Sequence, residues 1–331
     1  MIIFYLLLLF GLGVYSYSQI DLNLTLLQTS WFLGFKNQMI QLGYFNRPLS
    51  TGIFILITLL LFIFYIYFVF KAEKISLKKL LIGFFGIGIL GLLSYPAFSH
   101  DIFNYIFDAR IAAFHGANPY TSTALMYPLD TWTRFMNWTH RSYPYGPTFL
   151  PISILFYFFG LNKFIWTLVL FKSMLVGSFL GTAYLIYKLA GKKALAIFAF
   201  NPLIIYEMVV SSHLDGLMLF FAVLGYFLYV KKKKFAGIIS WIISVGIKYA
   251  TIFNFPGLPL SWLIILSYAG AIVQVFSREL LPHYFLVPLG FAALQPDNKK
   301  LFWFGVILSL ILLLFRYTTF LYTGQWSRLL N

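Results

Sequence analysis

The chain has 331 residues, 61% of them hydrophobic and only 10% charged, with 24 Lys and Arg against 9 Asp and Glu and a net charge of +15. So low a charged fraction, against about 25% in soluble domains, excludes water as the solvent for most of the surface and leaves no separate soluble domain. The lack of cysteine excludes disulfides, thiolate nucleophiles and thiolate metal sites.

The first apolar segment, 2–20, has no basic leader and no small-residue cleavage signature, and it exceeds what a signal peptide needs, so it is expected to be a retained span. Further apolar segments run over 52–70, 80–97, 164–187, 194–210, 216–230, 235–253, 258–277, 281–294 and 301–319. Since a helical span takes about 20 apolar residues, these predict an all-α, polytopic transmembrane bundle of about nine or ten spans forming a single integral membrane domain over 1–331.

Basic runs at Lys71, Lys74, Lys78 and Lys79, at Lys188, Lys192 and Lys193, at Lys231 to Lys234, and at Lys299 and Lys300 lie between these segments. They report topology and not a nucleic-acid partner. With the runs in the cytoplasm, the 21–50 loop, the 98–150 loop and the turn at His213 share the extracytoplasmic face. Residues 149–160 are too few for a span and are expected to be interfacial or re-entrant. Three apolar segments between Lys234 and Lys299 give an odd number of crossings. Either one is re-entrant or the Lys299 loop is external.

The 98–150 loop is long and rich in aromatics, and loops beyond about 15 residues in compact proteins are functional or disordered. At about 100° per residue, Asp101, Asn104, Tyr105 and Asp108 fall on one side of a helix and Ile102, Phe103, Ile106, Phe107, Ile111 and Phe114 on the other. This predicts an interfacial amphipathic helix with its carboxylates toward water. Arg110 falls within the apolar side, at the depth of lipid phosphates. There its planar fork would either clamp a lipid-linked phosphate or snorkel to bulk headgroups. For Asp101 and Asp108 the alternative to a functional role is a solvated helix face. Gly116-Ala117-Asn118-Pro119-Tyr120 marks a chain break, and Tyr143-Pro144-Tyr145-Gly146-Pro147 a rigid aromatic turn. Such rings serve equally as sugar platforms or as an aromatic belt.

The run Asp101-x3-Tyr105-x4-Arg110, followed by Gly116-x-Asn118-Pro119-Tyr120 and Tyr145-Gly146-Pro147, resembles the first extracytoplasmic loop of polyprenyl-phosphate-mannose-dependent mannosyltransferases of the GT-C superfamily. Asn201-Pro202-Leu203, Glu207 and His213-x-Asp215-Gly216-Leu217-Met218 are similar to a later outward turn of the same enzymes. The resemblance covers about residues 80–255. It implies a GT-C type bundle with interfacial helices in the 98–150 loop, an inverting transfer of a hexose, mannose in that family, from a polyprenyl-phosphate donor, and a first-loop acid as catalytic base, which maps onto Asp101. The acceptor it implies is an extracytoplasmic hydroxyl on a glycan or glycolipid. Two departures stand out. Lys248 is followed by Tyr249 where the family has Lys-Pro, and the region after Pro256 lacks a late loop tied to acceptor choice. The resemblance therefore speaks to the donor more than to the acceptor.

That chemistry needs a base for the attacking hydroxyl and cations for the departing lipid phosphate. An ionised Asp101 suits the first need. Lys248, a charge inside an apolar segment near its outer end, suits the second beside Arg110, or else snorkels to the interface. Asp108, Tyr105, Asn118, Tyr120, Tyr145, His213 and Asp215 complete the expected substrate-binding set. Glu207 either caps the His213 turn or pairs with a nearby cation, and Arg278 and His283 reach the site only if the preceding segment is re-entrant. His100, Asp101, His213 and Asp215 offer ligand types for a divalent cation, but their spacing matches no metal motif, so metal dependence stays open. A transporter or flippase of lipid-linked sugar is the alternative class. It would spread polar residues along several spans, whereas here they gather at one face.

Overall fold

The computed structural model describes residues 1–326. Its helices are α1 (Ile2–Ser16), α2 (Ser30–Ile40), α3 (Arg47–Lys71), α4 (Leu77–Leu93), α5 (Asp101–Ala113), α6 (Phe149–Phe159), α7 (Phe164–Ala199), α8 (Pro202–Ile204), α9 (Asp215–Val230), α10 (Lys234–Ile247), α11 (Leu260–Ser277), α12 (Leu286–Ala292) and α13 (Lys299–Thr323). No strand occurs among the described residues, as expected for a chain whose backbone must satisfy itself in lipid.

Five of these helices, α3, α7, α11, α13 and the N-terminal stretch Ile2–Gln19, are long and apolar enough to cross a membrane, or six elements if the bent pair Pro202–Val210 and Asp215–Val230 is one span. The sequence predicted about nine or ten spans. Part of the difference is length, since α4 has only 17 residues, and part is helix breaks inside apolar runs. Gly191, at φ +83°, bends α7 between two of the predicted segments, beside Lys192 and Lys193, a conformation open to glycine because it lacks Cβ. Lys248 is extended and closes α10 after 14 residues, a rise of about 21 Å against the roughly 30 Å of a hydrocarbon core. The expected 281–294 segment holds only the seven-residue α12 after a 3₁₀ turn started by Pro282. Its residues from Tyr284 to Leu294 are buried in the protein, and seven helical residues are too few to cross alone.

The main core is a continuous apolar cluster threaded by α1, α3, α4, α7, α9 and α13, with a smaller one around Phe107, Ile111, Ala124 and Met136. Outward-facing rings and aliphatic chains such as Phe4, Phe10, Leu56, Phe85, Phe276 and Ile311 remain exposed, the inverse of a soluble surface and a match to acyl chains. Several polar groups inside are paired. Tyr206 bonds Thr58 at 3.0 Å, Tyr15 bonds Ser50 at 3.0 Å, and Lys172 on α7 donates to the Ser94 carbonyl at the end of α4. These bonds tie spans together where an unpaired group would cost several kcal/mol in lipid.

α5 departs from the expected interfacial helix. Every residue from Ile102 to Ile111 is buried, Asn104 and Asp108 included. The chain between 115 and 148 folds over the polar side, with the Asn104 amide donating to the Trp138 carbonyl at 3.4 Å. A helical wheel gives the direction of a side chain but not what covers it.

Candidate active site

Three of the residues singled out along the chain, Asp101, His213 and Glu207, meet at the start of α5. Asp101 is its first residue, and its backbone N–H donates to Ser99 Oγ at 3.1 Å. Opposite lies the turn 211–214. Ahead of it, a π-helical stretch Ile205–Val210 follows α8, which begins at Pro202 and is capped by Asn201 Oδ1 accepting from Leu203 N–H at 2.9 Å. π-Helical turns recur at functional sites because they rotate side chains out of the regular register. Ser212 takes φ +59°, a strained choice for a residue with Cβ. His213 N–H donates to the Glu207 carbonyl at 3.0 Å and holds the turn closed.

The result is a row of acids and imidazoles. Asp101 Oδ2 stands 3.4 Å from His213 Nδ1, and His213 Nε2 stands 3.2 Å from Glu207 Oε2. His283, from the turn after α11, stacks on His213 at 4.1 Å and places Nδ1 3.9 Å from the same Glu207 oxygen. Tyr317 on α13 donates its hydroxyl to Glu207 Oε1. Beside this row, Lys248 Nζ donates to both oxygens of Asp215, at 3.0 and 2.8 Å.

Burial differs along the row in a way that matters chemically. The Glu207 side chain is fully buried and that of His213 5% exposed, whereas Asp101 keeps 24%. Asp101 is thus the acid of this row open to an incoming group. Burial alone would push its carboxyl up, but the facing His213, with Lys248 and Arg141 adding, holds it below the usual carboxylate range. It is ionised at neutral pH. Asp108, two turns further along the same side of α5, is 4% exposed; burial pushes its carboxyl up to about 7, with Arg141 pulling the other way.

Two links lock the loop motifs to this row. Leu214 N–H donates to the Tyr105 hydroxyl at 3.2 Å, joining α5 to the His213 turn. The Tyr145-Gly146-Pro147 turn docks on the end of α10, with Gly146 N–H donating to the Ile247 carbonyl at 3.0 Å and Thr148 N–H to the Gly246 carbonyl at 2.9 Å. A Cβ on Gly146 would lie 2.2 Å from the Gly246 oxygen, so only glycine permits this approach, two residues before Lys248. Tyr120, Tyr143, Tyr145 and Tyr105 then follow each other edge to face at 5.0, 5.3 and 5.2 Å. The series runs from the exposed Tyr120 to the buried Tyr105. Asn118 supplies its outer turn, with Oδ1 accepting from Tyr120 N–H at 3.0 Å.

Arg110 is placed elsewhere. Its Nε pairs with Asp130 Oδ2 at 2.6 Å, one terminal nitrogen donates to the Tyr157 hydroxyl at 2.7 Å and to Asn162, and Phe114 and Trp132 cover its guanidinium at 4.0 and 4.3 Å. With only 8% of its side chain exposed, it joins α5 to α6 and to the 130s loop and does not face lipid. The cation whose charge reaches Asp101 and Asp108 is Arg141, which the sequence reading missed. Its signal was its place just before the Tyr143-Pro144-Tyr145 turn. Tyr317 was missed as well, being an aromatic on the last span with no motif around it. Among the described residues, Glu207, His213 and His283 form a group with the geometry to hold a metal ion, their ligand atoms all within 4.8 Å of one another.

Residues 38–264, more than half of the chain, match a family model described as alpha-(1->6)-mannopyranosyltransferase, N-terminal domain. No curated protein and no solved structure gave a match.

Proposed function

The chain belongs to this GT-C type mannosyltransferase family, and from that premise we propose that it moves mannose from a polyprenyl-phosphate donor to a hydroxyl of a glycan or glycolipid on the extracytoplasmic face. The family makes it a membrane glycosyltransferase acting on a sugar donor and a glycan acceptor. The observation that carries the finer reading is Asp101: an ionised, partly open carboxylate backed by a buried histidine and neighboured by two cations.

In this reading the acceptor oxygen attacks the anomeric carbon while its proton passes to Asp101, and the bond from that carbon to the lipid phosphate breaks. The leaving phosphate gains charge as it departs. Lys248 and Arg141 supply compensating charge from within the protein, where it is worth more than in water. A single displacement inverts the anomeric centre, so an α-linked product requires a β-linked donor. Tyr145 and Tyr120 offer ring faces to sugars, and Asp108 and Asn118 offer polar contacts near them. Arg110 we assign to holding the loop together.

The test uses purified protein in lipid nanodiscs with a short oligomannoside acceptor. Labelled polyprenyl-phosphate mannose is expected to give α-linked product and GDP-mannose none. Transfer from GDP-mannose would overturn the donor assignment. Movement of the lipid-linked sugar across proteoliposomes without transfer would place the protein among flippases.

A further inference from the structure

We propose that Glu207, His213 and His283 form a binding site for a divalent transition-metal ion, Zn²⁺ foremost, directly behind Asp101. The proposal goes beyond the transfer reaction and does not depend on the identity of its donor.

Three observations carry it. The three side chains come from two turns distant in sequence, are all buried, and bring one ligand atom each to within 4.8 Å of the others. Two imidazoles and one carboxylate with an open fourth position is a known donor set for zinc, whose ligands lie about 2.0–2.2 Å from the metal. Nitrogen-rich sets of this kind disfavour Mg²⁺ and Ca²⁺, which prefer oxygen cages.

The second observation is that one of the three ligand atoms is an orphan. Glu207 Oε2 is buried and has no hydrogen-bond partner, although it faces His213 at 3.2 Å and His283 at 3.9 Å. These contacts are close enough for attraction but off the axis of an N–H···O bond. Unsatisfied buried polar atoms call for an explanation, and an ion is one. A dication between Glu207 Oε2, His213 Nε2 and His283 Nδ1 would use all three ligand atoms at once.

Third, the groups around the three ligands sit where supporting groups of metal sites sit. Asp101 Oδ2 faces the far nitrogen of His213, the carboxylate–histidine–metal arrangement that fixes tautomer and ring orientation. Tyr317 donates to the other oxygen of Glu207. Through His213, a bound ion would orient the same carboxylate that faces the acceptor, which makes His213 and His283 positioning residues.

The experiment measures metal, independently of transfer. Tag-free protein in detergent, dialysed with Zn²⁺ and then freed of excess, is expected to retain about one ion per chain, and X-ray absorption is expected to show a nitrogen and oxygen shell at about 2.0–2.1 Å with two imidazoles. His283→Ala and Glu207→Gln are expected to lose that ion. Tyr317→Phe is expected to weaken it about 10- to 100-fold, as loss of a supporting contact does. His115→Ala, remote from the cluster, serves as the control and keeps it. Zn²⁺ should also raise the thermal midpoint of the wild type, by mass action on the folded state, and leave that of folded His283→Ala unchanged. Retention of Zn²⁺ by His283→Ala at the wild-type level, an absorption shell without imidazole, or no retained ion in the wild type would each overturn the site. Because transfer is not the readout, a wrong donor assignment leaves this result standing.

Discussion

Asp101 and Asp108 lie on the same helix, yet their surroundings push them apart. Asp101 is open at one edge and faces His213, which keeps it charged. Asp108 is buried without a hydrogen bond or ion pair among the described residues; Arg141 is the cation near it, and Tyr143 and Tyr145 are the other titratable groups that feel its charge. A carboxyl raised from about 4 in the unfolded chain to about 7 in the folded one binds its proton more tightly when folded. Its contribution to stability is therefore full below about pH 4 and is lost as pH rises through about 7. Asp108→Asn, which mimics the protonated form, is expected to gain thermal stability over the wild type as pH goes from about 5 to about 8. A stability gap independent of pH would contradict this placement. At this scale the sequence singled out Asp101, His213, Asp215 and Lys248, which the structure sets in two facing pairs, because short motifs name residue types that must meet. It showed Arg110 poorly. Two of the partners that engage its guanidinium, Asp130 and Asn162, come from loops with no periodicity to follow.

At the scale of elements, the site depends on loops pinned to helix ends. The Arg110–Asp130 pair joins α5 to the 130s loop with both side chains under 10% exposed, and His115 also contacts Asp130, at 2.9 Å. Removing one partner of such a pair leaves a buried charge uncompensated, at a cost of about 3–5 kcal/mol. Asp130→Ala should accordingly lower the unfolding free energy by about that much, measured by denaturation in detergent. A loss under about 1 kcal/mol, as for an exposed pair, would mean the pair is wetter than described. Gly146→Ala must move the Tyr145 turn away from Gly246. Overpacking of this kind costs about 1–3 kcal/mol, and with Tyr145 and the end of α10 both displaced, transfer is expected to fall further than stability. Equal transfer in Gly146→Ala and wild type would show that the docked turn is dispensable. The tight turn was legible from Tyr-Gly-Pro; its docking partner was not, because Gly246 lies a hundred residues away.

For the whole molecule, composition established the membrane class and the all-helical fold, and apolar runs located most helices. The span count read from those runs is not confirmed where Lys248 and Pro282 break them, since hydropathy averages over a broken backbone. The face on which the site lies rests on the basic runs, and the lack of cysteine makes it open to a clean test. Both Thr121, in the long loop, and Lys232, in a basic turn, are exposed. In intact cells Thr121→Cys is expected to react with a membrane-impermeant maleimide and Lys232→Cys to react only after lysis. The reverse pattern would invert the topology.

The most direct test of the account is single-turnover transfer by Asp101→Asn with labelled polyprenyl-phosphate mannose, alongside donor binding. Loss of the base is expected to slow transfer about 10²- to 10⁴-fold while the donor binds within a few-fold of wild type. Transfer at the wild-type rate would show that Asp101 does not take the acceptor's proton.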